Sequence, residues 1–125
     1  MALTIRPINT GFIKVDTGVH VTSGRNVGVK IEIPALAWLI EGGKKPILVD
    51  TGMAPTNLAN WHHPGSYQPE GMSIESQLQK LKINPDEIGT VIFTHLHWDH
   101  CHNMKIFNQA EFIVSQAELD FALDP

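Results

Sequence analysis

The sequence has almost no cysteine, no long apolar run and no excess of positive charge. Cys101 is the single cysteine among 125 residues, which excludes an intramolecular disulfide. The longest apolar run, residues 33–40, contains Pro34 and is far shorter than the ~20 residues of a membrane helix. Nine Lys and Arg stand against thirteen Asp and Glu, a net charge of −4. This balance disfavours nucleic acid or an anionic membrane as the main partner.

The N-terminal segment also lacks the composition of a secretory signal. Arg6 and Pro7 interrupt the stretch where a signal peptide needs unbroken apolar residues. Hydrophobic residues make up 42% and charged residues 18% of the chain, which is ordinary globular composition and argues against disorder. We therefore expect a cytoplasmic globular protein with room for one domain.

The apolar pattern predicts strands first and helices later. Pro34 breaks one of the alternating runs, and a Gly42-Gly43 turn between two others favours a hairpin. Helices are expected to begin at Ser73 and Ser115, where a hydroxyl residue precedes apolar positions spaced by three and four. Strands are predicted over residues 11–18, 27–33, 35–40, 46–49, 90–94 and 111–114, and residues 54–71 are expected to form a long loop.

What the chain does have is a dense group of histidines. His95, His97, His100 and His102 fall within eight residues, together with Asp99 and directly after an apolar strand. Residues at i and i+2 do not share a helix face, so His95 and His97 are expected on a strand end or tight loop. Imidazole and carboxylate donors suit Zn²⁺, with Fe, Mn or Co as alternatives. A solvated polar loop is the other interpretation, and it does not account for so many ligand-type residues together.

Residues 94–100, Thr-His-Leu-His-Trp-Asp-His, resemble the His-x-His-x-Asp-His signature of metallo-β-lactamase-fold hydrolases. Residues 49–52, Val-Asp-Thr-Gly, resemble the earlier strand-end motif of that superfamily. The runs 37–40, 47–53 and 112–114 are most similar to its N-acyl homoserine lactonase branch. The resemblance implies an α+β fold, a four-layer αββα metallo-β-lactamase-like sandwich of two similar halves. Residues 1–125 would be the N-terminal half of that single domain.

The resemblance also implies a site with two divalent metal ions, Zn²⁺ before Fe, Mn or Co. His95 and His97 would bind one ion, Asp99 and His100 the other, with a bridging hydroxide. A metal brings the pKa of bound water down towards about 7, and two ions together can polarise a carbonyl and stabilise the leaving oxygen. Asp99 would be the catalytic residue that passes a proton to the leaving group. Asp50 would orient the ligands, or as an alternative only cap a turn.

The chain departs from the family directly after the last ligand. Cys101 and His102 stand where family members have small residues, often glycines. Cys101 is expected to be a small buried residue, with metal contact or oxidation as the alternative. His102 is expected to lie behind the ligands or face solvent, with a role as an extra ligand as the alternative.

The loop over residues 54–71 holds the candidate substrate contacts. Trp61, His62 and Tyr67 could hold an acyl chain or a lactone ring, and a packed surface segment is the equal alternative. Trp98, between two ligands, is expected to pack under the site.

The implied function is a metal-dependent hydrolase that opens cyclic or linear carboxylic esters, in the first place an N-acyl homoserine lactone-type lactonase using the bridging hydroxide. A glyoxalase II-like thioesterase, or another hydrolase of the superfamily, is the alternative, because fold and metal motif do not choose among these. The expected substrate is a small-molecule ester or lactone, with no nucleic acid and no membrane as partner.

The family also needs a third histidine, a bridging carboxylate and a further histidine downstream of this motif. These are not in the sequence, and four side chains do not fill two zinc spheres of about four ligands each. We therefore expect a missing C-terminal half or a complementary chain as partner. An inactive half-domain that needs a partner chain is the alternative of another class.

Overall fold

The computed structural model describes residues 2–125 and contains one five-stranded sheet with helices. The strands are β1 (Thr4–Asp16), β2 (Lys30–Glu41), β3 (Ile47–Val49), β4 (Thr90–Ile92) and β5 (Glu111–Ile113). The helices are α1 (Thr17–His20), α2 (Thr56–His62), α3 (Ile74–Lys80), α4 (Trp98–Cys101) and α5 (Gln116–Leu123). Single 3₁₀ turns cover Pro85–Glu87 and Met104–Ile106.

The strands follow one another across the sheet in chain order, and their direction changes midway. β1 pairs with β2 and β2 with β3 in antiparallel fashion, whereas β3, β4 and β5 run parallel. The short turn after β2 permits the antiparallel hairpin that the sequence predicts. Parallel neighbours need longer crossovers, and here these contain α2 and α3 before β4, and α4 before β5.

Pro34 does not end a strand, so the prediction of two separate strands around it is wrong. β2 runs through Pro34, which lies opposite Phe12. The register of β1 shifts between Asn9 and Phe12, and Gly11 has a φ of 145° there. A proline has no N–H to donate, and a bulge is one of the places where a sheet tolerates it.

The predicted helix starts at Ser73 and Ser115 are present. Ser73 Oγ accepts from the backbone N of Ser76 at 3.2 Å, and Ser115 Oγ accepts from that of Glu118 at 3.3 Å. The loop expected over residues 54–71 instead contains α2, which buries only Ala59 and so shows no apolar periodicity. Along residues 2–125, none of the helices is long and apolar enough to cross a membrane.

One face of the sheet is covered by helices and loops, and we call it the covered face. Near β3 and β4, α3 and a loop pack on it, and near β1 and β2, α2 packs on it. The first cluster is Ile8, Ala37, Leu39, Leu48, Ile74, Leu78, Ile88, Val91, Phe93 and Phe107, and the second is Ile13, Val15, Ala35, Met53 and Ala59. Burying each large apolar side chain of this kind contributes roughly 1.5–3 kcal/mol.

The other face, which we call the open face, is apolar as well but is not buried. Directly opposed residues of paired strands lie on the same face, so the strand register identifies its members. Its apolar members around the middle of the sheet are Ile5, Pro7, Leu36, Trp38, Ile40, Ile47, Val49, Ile92 and Ile113. The same register also places polar residues on this face, including Asn9, Lys14, Glu32, Thr90 and Glu111. Ile5 is 65% exposed and Ile113 45%. Parallel strands with apolar residues on both faces are typical of a sheet that is covered on both sides.

Candidate metal centre

The histidine-rich segment lies at the carboxyl ends of the parallel strands. β3 and β4 end side by side, so residues 50–53 and 94–103 leave the sheet at the same edge. This edge is where open sheets with parallel strands bind their ligands. The backbone N and Oγ1 of Thr51 donate to the carbonyl of His100 at 2.6 and 2.8 Å. The two loops are therefore tied together directly.

Three of the predicted histidine ligands have their rings in contact. The ring centroid of His95 lies 4.5 Å from that of His97 and 4.0 Å from that of His100. Nε2 of His100 lies 3.2 Å from Oδ2 of Asp99. His95 and His97 come from the loop, as their spacing predicts, whereas Asp99 and His100 come from the single turn of α4, which the sequence did not predict. The structure thus brings the four predicted ligands to one place.

Asp50 lies at the end of β3, next to this cluster, and is 2% exposed. Its Oδ1 accepts from the backbone N of Thr94 at 2.9 Å, and its Oδ2 accepts from Thr94 Oγ1 at 2.7 Å. Oδ2 also lies 2.8 Å from Nδ1 of His100. A carboxylate on one imidazole nitrogen fixes the ring and leaves the other nitrogen for the site. The ligand-orienting role of Asp50 stays a prediction, and the contact that it requires is present.

The charges in the cluster favour ionised carboxylates. Burial acts to lower the pKa of His100, but hydrogen bonds and charges from Asp50 and Asp99 outweigh it and raise this pKa to about 9. Burial acts to raise the pKa of both carboxyl groups, and the hydrogen bond with His100 helps to bring each below its ordinary value. The pKa of His95 is lowered by burial and then by the charges of His100 and His97. His95 is therefore held in the neutral form.

The donor set fits a divalent metal such as Zn²⁺, which binds neutral imidazole and carboxylate. The lowered pKa of His95 favours the neutral form that a metal requires, whereas His100, whose pKa is raised, would have to release a proton on binding. A cation between Asp99 and His100 would replace the contact that these side chains make with each other. Among residues 2–125, however, no three His, Cys, Asp or Glu side chains are arranged to hold an ion. Residues 2–125 therefore supply side chains of the type that bind Zn²⁺, but not a complete set of ligands.

Helix α2 places two of the candidate substrate contacts beside the motif. The His62 ring stacks on Trp98 with centroids 4.9 Å apart and planes 3° apart. Trp61, which is 78% exposed, meets His62 edge-on at 4.8 Å. Trp98 also packs against the second core cluster, in accordance with its predicted place under the site. Tyr67 is directed elsewhere, and its hydroxyl donates to Glu32 Oε2 at 3.2 Å.

The two residues that depart from the family pattern differ in environment. Cys101 is half-buried against the first core cluster, and its Sγ donates to the Leu96 carbonyl at 3.4 Å. Burial raises the pKa of this thiol, which keeps it protonated at neutral pH. His102 is exposed at the end of α4. This exposure agrees with the solvent-facing position that is one of the two expected, and a position behind the ligands stays a prediction.

Several polar residues around the motif were not singled out from the sequence. Glu118 Oε1 accepts from the backbone N of Leu96 at 2.8 Å, and Asn103 contacts the loop after β3. His63 lies 5.3 Å from His20, ring to ring, and burial followed by the His20 charge lowers its pKa. These partners are far apart along the chain, so no local pattern indicates the contacts. Asn103 alone adjoins the motif in the chain, and its polarity there is the one signal that the sequence offers.

The sequence pattern of the metallo-beta-lactamase superfamily matches residues 31–118. The chain belongs to this superfamily. The matched range contains the β2–β3 hairpin, the strand-end motif at residues 49–52 and the whole histidine cluster. The resemblance seen in the sequence is therefore confirmed.

Similar superfamily members of known name are N-acyl homoserine lactonases. AiiB of Rhizobium rhizogenes is 31% identical over 101 residues, which are 74% of this chain and 37% of that protein. The N-acyl homoserine lactonase of Bacillus thuringiensis is 29% identical over 112 residues, 82% of this chain and 45% of that protein. The chain spans less than half the length of these relatives.

Solved structures of N-acyl homoserine lactonases are also similar to this chain, and the chain again covers about half of each. A quorum-quenching N-acyl homoserine lactone lactonase matches with a TM-score of 0.86 at 29% identity, over 100% of this chain and 51% of that chain. An N-acyl homoserine lactone hydrolase with N-hexanoyl-L-homoserine at its catalytic metal centre matches with a TM-score of 0.85 at 28% identity, over 100% of this chain and 54% of that chain. The expected metallo-β-lactamase-like α+β fold is confirmed.

Proposed function

We propose that the complete protein is a metal-dependent hydrolase that opens N-acyl homoserine lactones. The observation that carries this is the contact of three histidine rings, His95, His97 and His100, with Asp99 beside them at the carboxyl edge of the sheet. Support for the substrate class comes from similar proteins named as lactonases, one of them solved with a homoserine product bound.

We also propose that residues 1–125 form the N-terminal half of one metallo-β-lactamase-like domain. Similar solved chains are about twice as long, since this chain covers 51% and 54% of two of them. The apolar open face supports the same proposal, because large exposed apolar patches mark interaction surfaces. The missing C-terminal half, or a complementary chain, would cover this face and supply the remaining ligands.

In the proposed site, His95 and His97 would hold one divalent cation and Asp99 and His100 a second, Zn²⁺ in the first place. Bound there, the two ions would stabilise negative charge on the ester oxygen and lower the pKa of a water molecule. Asp50 would keep the His100 ring in one orientation through its contact with Nδ1 at 2.8 Å. The Asp99 carboxylate would carry a proton to the leaving oxygen of the opened ring.

The surface beside these residues is proposed to bind the rest of the substrate. Trp61 offers an exposed indole, and its neighbour His62, also exposed, stacks on Trp98, which packs against the second core cluster below them. Such a surface suits the acyl chain of a lactone. Tyr67 stays a predicted substrate contact, and its hydroxyl donates to Glu32 Oε2. The cytoplasmic location expected from the sequence also stays a proposal.

A substrate panel tests the function. The complete protein, loaded with Zn²⁺, is expected to hydrolyse an N-acyl homoserine lactone faster than an acyl-glutathione thioester or a β-lactam. Rapid thioester turnover without lactone turnover would instead favour the glyoxalase II-like alternative. Hydrolysis of none of them would contradict both.

Replacement of single ligands tests the proposed division between the two ions. His97→Ala should reduce occupancy of one ion, and Asp99→Ala mainly that of the other. Asp99→Ala should lose more activity than its metal content explains, because a proton carrier is lost together with a ligand. Metal analysis beside the rate measurements checks this, and equal activity per bound metal in both variants would exclude the proton-carrying role.

The incomplete ligand set supports the second candidate function, a half-domain that is inactive without a partner chain. Metal stoichiometry separates the two proposals. Two tightly bound ions and lactone turnover by residues 1–125 alone would overturn the half-domain assignment. Binding and turnover that require the remaining half would support it.

A further inference from the structure

Asn103, three residues after the last predicted ligand, His100, donates hydrogen bonds to the loop that follows β3. Its side-chain Nδ2 donates to the carbonyl oxygens of Thr51 at 2.9 Å, Gly52 at 3.2 Å and Met53 at 3.1 Å. Its backbone N donates to Thr51 Oγ1 at 3.2 Å. One carboxamide therefore faces three successive carbonyl groups, an arrangement that only a donor at this position can make.

The loop that Asn103 holds has little freedom of its own. Asp50 and Gly52 have φ of 60° and 76°, in the left-handed region. A Cβ on Gly52 would lie 2.4 Å from Cγ2 of Thr10, so the loop is packed against β1. The backbone N of Met53 donates to Thr10 Oγ1 at 3.0 Å. Contacts with β1 on one side and with Asn103 on the other therefore fix the conformation of the loop.

Two residues of this loop contact His100 and so determine where it lies. The loop begins with Asp50, whose Oδ2 lies 2.8 Å from Nδ1 of the His100 ring. Thr51 Oγ1, which accepts from Asn103, itself donates to the backbone carbonyl of His100 at 2.8 Å. The ring and the backbone of His100 are thus both set by the loop that Asn103 holds.

We infer that Asn103 is a positioning residue for the metal centre, acting through the loop of residues 50–53 on the direction of the His100 ring. The inference rests on the proposed function in so far as His100 is a ligand. The hydrogen bonds that Asn103 makes with residues 51–53 lie behind the ligands and not on the proposed substrate surface. Its effect reaches the site through Asp50 and Thr51.

The variant Asn103→Asp tests this in the complete protein. It keeps the shape of the side chain, removes the N–H donors and places a carboxylate oxygen against three carbonyl oxygens. The matched control is Asn108→Asp, the same change at an exposed residue for which the described residues show no side-chain hydrogen bond. Ile74→Val, in the first core cluster, is a second control that lowers stability at a distance from the loop.

The first readout needs neither metal nor activity. In ¹⁵N-labelled protein, the Nδ1 proton of His100 that is shared with Asp50 should give a downfield signal. Asn103→Asp should shift or lose this signal, whereas Asn108→Asp and Ile74→Val keep it. An unchanged signal in Asn103→Asp would overturn the inference.

The second readout is binding of Co²⁺, followed by its visible absorption bands. Loss of residues that orient a ligand weakens metal binding by about 10- to 100-fold, and Asn103→Asp should do so with altered bands. If Asn103→Asp does not fold, Thr51→Val keeps the shape, removes the linking hydroxyl and should change binding in the same direction. Binding equal to wild type in the folded variant would overturn the inference. Failure of wild type to bind Co²⁺ would contradict the proposed function, and the histidine signal would still decide the role of Asn103.

Discussion

The two faces of the sheet use similar side chains in different environments. Leu39 and Leu48 lie on the covered face and are 0% exposed. Their chain neighbours Ile40 and Ile47 lie on the open face and are not buried. A sheet that meets water on one side alternates apolar with polar residues, and the segments 35–40 of β2 and 47–49 of β3 do not. This difference indicates that the central strands are suited to a sheet covered on both faces. Residues 2–125 cover only one face.

The largest effect is expected on the covered face. Leu48→Ala leaves a cavity between β3 and the helices, and should lower the free energy of unfolding by about 2–5 kcal/mol. Denaturant unfolding of the complete protein measures this. A loss below about 1 kcal/mol, within the range of ordinary surface changes and small core adjustments, would mean that the covered face is not the core.

Ile40→Ala on the open face separates the two possible states of that face. If a second half covers it in the complete protein, the substitution should cost about 2 kcal/mol or more, as in other cores. If the face meets water, the cost should stay within about 0.5 kcal/mol. Lys44→Ala in the adjoining turn is the matched surface control. Equal results for Ile40→Ala and Lys44→Ala would contradict the proposed half-domain.

Trp38 reports on the same face by fluorescence. It is 38% exposed in residues 2–125. In a variant with Trp61→Phe and Trp98→Phe, Trp38 is the remaining tryptophan of this segment. Acrylamide should quench its emission several-fold less when the rest of the domain is present, because a covering layer excludes the quencher. Quenching that does not change on addition of the second half would count against burial of this face.

The smallest effect is expected at Asp16, at the end of β1. Burial acts to raise its pKa, but hydrogen bonds from the backbone N of Gly28, Val19 and Gly18 and the charge of Lys30 outweigh burial and lower it. A group with a lowered pKa in the folded state adds stability above its ordinary value of 3.8, and that stability is lost as the pH falls through the lowered value. The protection of the Gly28 amide against exchange, relative to an unstructured peptide at the same pH, should therefore fall only in strong acid.

Asp16→Asn is expected to remove this acid dependence and to leave the open face unaffected. The protection factor of the Gly28 amide, measured against pH in both proteins, checks it. An equally steep acid response in Asp16→Asn would show that another group is responsible.

The sequence was most informative where a local pattern carries the structure. Ser73 and Ser115 predict the starts of α3 and α5, and the spacing of His95 and His97 predicts the loop on which both lie. Local patterns failed where tertiary contacts decide. Pro34 continues a strand because a bulge in β1 lies opposite it, and α2 forms although it buries only Ala59.

In the candidate site, too, some residues can be predicted from local sequence and others cannot. Its ligand-type residues adjoin one another in the chain and could be found from sequence. Of the residues that support them, the family resemblance indicated Asp50, whereas the contacts of Thr94, Thr51 and Asn103 could not be predicted. Asp50 and Thr94 are 44 positions apart, and Asn103 and Thr51 are 52 apart. Only the fold brings such pairs within hydrogen-bond distance.

The parallel pairing of β3 with β4 also has a consequence for the order of folding. Adjacent strands such as β2 and β3 can pair across a short turn, whereas joining β3 to β4 first requires a loop of some forty residues to close. Closure of longer loops costs more chain entropy, and distant pairings form more slowly. Asp50 meets Thr94 one step beyond that late pairing. The histidine motif would therefore acquire its native geometry among the last events of folding, and metal ions would meet a disordered motif in any nascent chain.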